Sequence, residues 1–195
     1  MFEPSQETLW SQVSDVESIQ DYKFTDRSLL VTALRPAKGD RDPAVANNDG
    51  LEFLGDSVLK RIAPIFFTLE QRQLNQLGPL KCEGLINVAL QAVCLSAGLD
   101  RHLLELREID RASNVITRAN YQAARACGGK YWKRVPENKL LADAVEAVFG
   151  AVFLDSGMDL NAALRLFRRL HWPAVGSYKE DENHMPDRDV FGRYV

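Results

Sequence analysis

Missing from this sequence of 195 residues are strand-period alternation, any apolar run of membrane-spanning length, and cysteines spaced as pairs. The first absence argues against a β-rich fold, because half-buried strands need apolar residues at every second position. The second argues against a membrane-spanning helix, which requires about 20 consecutive apolar residues. Cys82, Cys94 and Cys127 are an odd count with no C-x-x-C spacing and no histidine at ligand spacing. Neither a disulfide framework nor a zinc site is expected, and the thiols read as reduced and structural. The opening MFEPSQETLW lacks the basic flank and apolar stretch of a secretion signal and the Arg-rich character of a transit peptide. It points to an intracellular protein, in the cytoplasm or nucleus rather than an organelle. A net charge of −3 argues against binding nucleic acid through bulk positive charge, while leaving a local basic surface open.

What is present is ordinary globular material. The hydrophobic fraction is 46% and the charged fraction 26%, so the chain can bury one substantial core without staples. Helical signals run almost throughout. SQETLWSQVSDVESI opens with a cap-like serine and a following glutamate, and FTDRSLLVTAL reads as a second helix capped by Thr25 or Asp26. RPAKGDRDPAVANNDG is a loop by its prolines, glycines and short polar residues. GLEFLGDSVLKRIAPIFF is a helix, and LGPLKCEGLINVALQAVCLSAGLD is another, ending near Gly98. Residues 107–138 are the least legible, with short helices and a loop through CGGKYWKRVPEN expected. KLLADAVEAVFGAVFLDSG and DLNAALRLFRRL are two helices separated by a turn at Gly157, with Asp159 as a cap. With no repeat and no linker, the expected architecture is all-α: one helical domain over 1–172 and a polar tail, extended or disordered, over 173–195.

Two pairs of acids stand out. At 100° per residue, Leu51, Leu54, Val58, Ile62, Ile65 and Leu69 form one apolar stripe, and Glu52 and Asp56 project together beside it, hemmed in by apolar groups. Taken alone, an acidic pair at i and i+4 most often sits on a solvated helix face. The later helix shifts that balance. Between Leu140 and Leu154 its charged side chains are Asp143 and Glu146, on a surface apolar in every other direction. Such a helix should be buried on most sides, and an unpaired buried carboxylate costs several kcal/mol or takes up a proton. Ala142, Ala147 and Gly150 flank the pair and would let another helix approach closely; the natural candidate is the one carrying Gly55. Four carboxylates meeting there require cations. Hard divalent ions with oxygen ligands suit them, Mg²⁺ first, and carboxylate-held Mg²⁺ supports phosphodiester hydrolysis.

LEFLGDSVL and KLLADAVEAVFGAVFLDSG closely resemble the two signature segments of ribonuclease III domains. The likeness runs from about YKFTDRSLLVTAL to about Leu170. It implies a helical ribonuclease III endonuclease fold, with Glu52, Asp56, Asp143 and Glu146 in the places of the family's catalytic, metal-binding acids, and Mg²⁺ as cofactor with Mn²⁺ as a substitute. Lys139 matches a lysine the family often has near the scissile phosphate, a solvated N-terminal lysine being the plainer reading. Asn87 resembles a family asparagine for which a capping or packing role is equally open. Where relatives often show an acid and an arginine before the first motif, this chain has Asp49 and Gly50, and Pro64, a further departure, should kink its helix about four residues back.

The resemblance further implies an endonuclease of double-stranded RNA that leaves 5′-phosphate and 3′-hydroxyl ends and takes no small-molecule cofactor. The alternative is a non-catalytic member serving as an RNA-binding or ribosome-associated structural protein. The residues after the last helix are too few for an appended double-stranded RNA-binding domain, so duplex shape would be read by the catalytic domain itself. KYWKR at 130–134 and Arg165, Arg168 and Arg169 are candidate contacts, each also readable as a solvated face. Cutting both strands implies a homodimer about a two-fold axis. Phe53, Leu59, Phe66 and Phe67 are the residues expected either to cross that interface or to fill the core.

Overall fold

The computed structural model describes residues 6–37, 46–69, 85–127 and 131–175, with the side chains of Phe67 and residues 171–175 outside that description. The chain runs α1 (Gln6–Gln20), α2 (Arg27–Ala33), α3 (Asp49–Leu69), α4 (Asn87–Ala97), α5 (Glu108–Ala126), α6 (Lys139–Asp155) and α7 (Leu160–Val175). Short 3₁₀ turns occupy Leu99–Arg101 and Tyr131–Arg134. Among the described residues there is no strand, and no helix is long and apolar enough to cross a membrane.

The organising element is α6. Apart from Asp143, its residues from Leu141 to Val152 are buried, as a helix apolar on all sides must be, and α2, α3, α4 and α7 surround it. The caps follow local chemistry. Asp26 accepts from the Ser28 N–H to start α2, and Asp159 accepts from the N–H groups of Asn161 and Ala162 to start α7. Gly98, at φ +81°, ends α4 in the left-handed conformation that glycine adopts without penalty.

Four expectations change. The buried face of α3 is Leu51, Val58, Leu59, Ile62, Ala63 and Phe66, whereas Leu54 and Ile65 are half-buried and Leu69 is exposed. The face is rotated because α3 packs against α7 as well as α6, and Phe66 stacks on Phe167 with ring centroids 5.1 Å apart. Leu59 and Phe66 therefore fill the core and do not face a partner, while Phe53 stays 79% exposed. Residues 108–126 form one helix of 19 residues in place of several short ones. Its buried side includes Asn114, Thr117 and Tyr121, a seam that hydropathy alone does not reveal. Finally, α7 continues through Trp172 and Pro173 to Val175, three residues into the segment expected to be tail. The helix α3 runs on across Pro64. The expected loop over 36–49 falls partly, and Cys82 wholly, outside the described residues; Cys94 is a buried free thiol and Cys127 an exposed one.

Candidate metal and active site

The site lies where α3 crosses α6. Gly55 and Gly150 make the crossing: a β-carbon on Gly55 would stand 1.7 Å from the Glu146 carbonyl oxygen, and one on Gly150 would stand 2.2 Å from that of Leu51. No side chain fits between the two backbones. Glu52 and Glu146, each about one turn before the glycine of its own helix, and Asp143, one turn earlier still, are consequently drawn into a common volume.

Glu52, Asp143 and Glu146 each offer a carboxylate oxygen, and these lie within 4.8 Å of one another. Asp56 is not part of that group: its Oδ2 accepts from Lys60 Nζ at 2.5 Å, one turn further along α3. Lys139, in the first turn of α6, donates to Glu52 Oε1 at 2.9 Å and to Asp143 Oδ1 at 2.6 Å, and so ties the two helices together across the acids. It remains 61% exposed, at the solvent edge of the cluster.

The electrostatics follow from this placement. Burial pushes the Glu146 carboxyl up to about 7, and the charges of Asp56, Asp143 and Glu52 add to the effect. Burial also raises Asp143, with the Glu52 charge in the same sense and the Lys139 hydrogen bond against it. For Lys139, partial burial disfavours the ammonium, but the bonds to Asp143 and Glu52 outweigh it and the pKa is raised. A single ammonium thus serves two of the acids, while the third, Glu146, gives up its proton less readily than an ordinary carboxyl. Three hard oxygen donors with too little positive charge among them fit a divalent cation, and Mg²⁺ or Mn²⁺ suit such ligands.

The basic residues expected at an RNA surface are distributed differently. Arg165 pairs with Asp159 at 3.6 Å, Arg169 donates to the Ile19 carbonyl at 3.3 Å, and the Arg168 guanidinium lies 5.9 Å from the centroid of the Phe66 ring. Arg168 and Arg169 thus tie α7 to α3 and α1, while Arg165 pairs within the first turns of α7. In KYWKR, Trp132 is buried and Tyr131 half-buried, Lys133 and Arg134 are exposed, and Lys130 lies outside the described residues. Asn87 donates to Glu137 Oε1 at 2.7 Å, joining α4 to the segment before α6. Lys60, the i+4 partner of Asp56, was not singled out from the sequence, and neither was Glu17, a buried acid on α1 away from this site. Glu17 is 1% exposed and accepts from both Arg27 Nε and Nη2 and from the Phe24 N–H.

Helical throughout its described residues, with α3 and α6 bringing Glu52, Asp143 and Glu146 together, the chain is of a helical class that comparison with known proteins narrows. The Ribonuclease III domain model matches residues 49–157, so the chain belongs to the ribonuclease III domain family. Ribonuclease 3 of Treponema pallidum is 32% identical over 181 residues, covering 92% of this chain and 60% of that protein. Endoribonuclease Dicer homolog 1 of Arabidopsis thaliana is 30% identical over 172 residues, covering 82% of this chain and 9% of that protein. The chain thus spans a small fraction of its Dicer relatives and little more than half the length of the bacterial ones. The nuclease domain of ribonuclease III from Campylobacter jejuni superposes with a TM-score of 0.61 at 21% identity, covering 85% of this chain and 97% of that domain, a likeness of fold.

Proposed function

We propose that this chain is a metal-dependent endonuclease that hydrolyses phosphodiester bonds of double-stranded RNA to leave 5′-phosphate and 3′-hydroxyl ends. The observation that carries the reading is the convergence of Glu52, Asp143 and Glu146 beside Lys139, in a chain of the ribonuclease III domain family. Glu52, Asp56, Asp143 and Glu146 are the acids assigned to hold Mg²⁺, or Mn²⁺ in its place. When bound, the metal supplies Lewis-acid stabilisation and an activated water for hydrolysis. The chain's own groups do the rest. Glu146, the most buried, anchors the cluster, and Lys139 at its open edge meets a phosphate oxygen of the RNA. The Gly55–Gly150 crossing keeps α3 and α6 from sliding. The catalytic domain is read as residues 1–172 and the polar segment 173–195 as its tail, the first three residues of which continue α7.

The active form is read as a homodimer within the cell, each protomer addressing one strand of the duplex. Phe53, exposed on α3 next to Glu52, supports an interface there. The Campylobacter jejuni nuclease domain has a region involved in dimer formation. Incubation of the purified chain with an end-labelled RNA duplex tests the reading. Cleavage in Mg²⁺, none in chelator, and an untouched single strand are expected. Duplex binding without metal-dependent cleavage would overturn the enzyme in favour of a structural or RNA-binding member.

A further inference from the structure

Gln91 is 1% exposed in the middle of α4, between Ala89, Leu90, Ala92 and Val93, all of them buried and apolar. A carboxamide in such a place is costly unless both its ends are satisfied. Both are. Gln91 Nε2 donates to the Pro136 carbonyl at 3.1 Å, and Gln91 Oε1 accepts from the Asn138 N–H at 2.5 Å. The orientation of the amide is forced, since Pro136 offers only an acceptor and the Asn138 backbone nitrogen only a donor. The side chain does for residues 136–138 what a neighbouring strand would do for an edge.

That segment leads directly into α6, and it is fastened at every residue. Glu137 Oε1 accepts from Asn87 Nδ2 at 2.7 Å. Asn138 occupies the N-cap of α6 but makes no side-chain cap bond to that helix; its Nδ2 donates instead to Asn114 Oδ1 on α5 at 2.9 Å. The next residue is Lys139, whose ammonium bridges Glu52 and Asp143. An N-terminus without its own side-chain cap frays readily, so the register of its first turn depends on what holds the preceding residues.

We propose that Gln91 is a positioning residue that, by clamping Pro136 and Asn138 from inside the core, sets the first turn of α6 and thereby places Lys139 over Glu52 and Asp143. The inference rests on the endonuclease reading for its effect on activity, and on geometry alone for its effect on α6. Gln91→Leu keeps the volume and removes both hydrogen bonds. Expected are amide hydrogen exchange over residues 139–142 at least about tenfold faster, and single-turnover cleavage about tenfold slower with duplex affinity unchanged. In a Lys139→Ala background the same substitution should slow cleavage less than twofold, because its target is already gone. Equal loss in both backgrounds would show a general structural role and overturn the proposal, as would unchanged exchange or an unchanged rate. If Gln91→Leu does not fold, Asn87→Ala loosens the same segment from the surface. It should accelerate exchange over 139–142 and slow cleavage severalfold in the presence of Lys139 only, and no change in exchange would overturn the clamp. Should the parent chain cleave no duplex, the endonuclease reading fails, and the exchange measurement still decides whether Gln91 holds the first turn.

Discussion

Gly55 and Gly150 meet backbone to backbone where α3 crosses α6, so closely that a β-carbon on Gly55 would lie 2.9 Å from the Gly150 nitrogen and one on Gly150 would lie 3.2 Å from the Gly55 nitrogen. The obstacle is main chain on both sides and cannot swing away. Gly55→Ala should therefore push the helices apart, costing about 3 kcal/mol or more and lowering the melting temperature by about 10 °C. Differential scanning calorimetry would read it. Gly50→Ala is the control, because nothing lies within 4 Å of the β-carbon there, and its melting temperature should stay close to the parent's.

Glu146 is 9% exposed and shares its space with two other carboxylates. Removing its charge relieves that crowding and leaves its shape intact. Glu146→Gln should accordingly melt no lower than the parent in the absence of metal and, with Glu146 holding the metal as proposed, cleave duplex RNA about 100-fold more slowly in saturating Mg²⁺. Duplex binding should persist. A variant with undiminished turnover would remove Glu146 from the metal-holding role.

Phe53 leaves 79% of its surface exposed, one residue from Glu52. If the partner protomer covers it, Phe53→Ser should weaken the dimer at least about tenfold. Light scattering at micromolar concentration should then show the mass moving from twice 21.9 kDa toward 21.9 kDa. A parent chain that is monomeric and still cuts both strands would exclude the dimer.

Glu17 supplies a pH dependence away from the acid cluster. Burial disfavours its charge, but the hydrogen bonds from Arg27 and from the Phe24 N–H outweigh that and hold its carboxyl below the ordinary range. A lowered folded-state value means that the stabilisation is fully present above the unfolded pKa of about 4.3 and fades as pH falls through the folded one. Glu17→Gln should cost about 2 kcal/mol at pH 7 by urea denaturation, and the gap from the parent should narrow as pH falls below the unfolded value of about 4.3. A gap independent of pH would show that the carboxylate charge is not what matters.

Much of the fold was legible because helical periodicity, caps and apolar runs are local. Asp26 and Asp159 as caps, Gly98 and Gly157 as helix ends, and an α6 buried on almost every side follow from residues within a few positions of one another. The convergence of Glu52, Asp143 and Glu146 was legible at one remove: acids in apolar helices, each helix with a glycine at its closest point, restrict how the two can pack. What sequence could not decide lies in contacts between residues far apart along the chain. Which side of α3 is core depends on Phe167 and on the position of α7, so Leu59 and Phe66 went inward and Leu69 outward. The single long α5 escaped because its buried seam is partly polar, and such a seam has no hydropathy signal. That Glu52, Asp143 and Glu146 lie within 4.8 Å of one another while Asp56 pairs with Lys60 is a matter of distances of a few ångströms that sequence does not reveal. Gln91 shows the same limit most sharply. As a letter in VALQAVCL it is a polar interruption in an apolar helix, and only the arrival of Pro136 and Asn138, 45 and 47 residues later, gives its two hydrogen-bonding groups their partners.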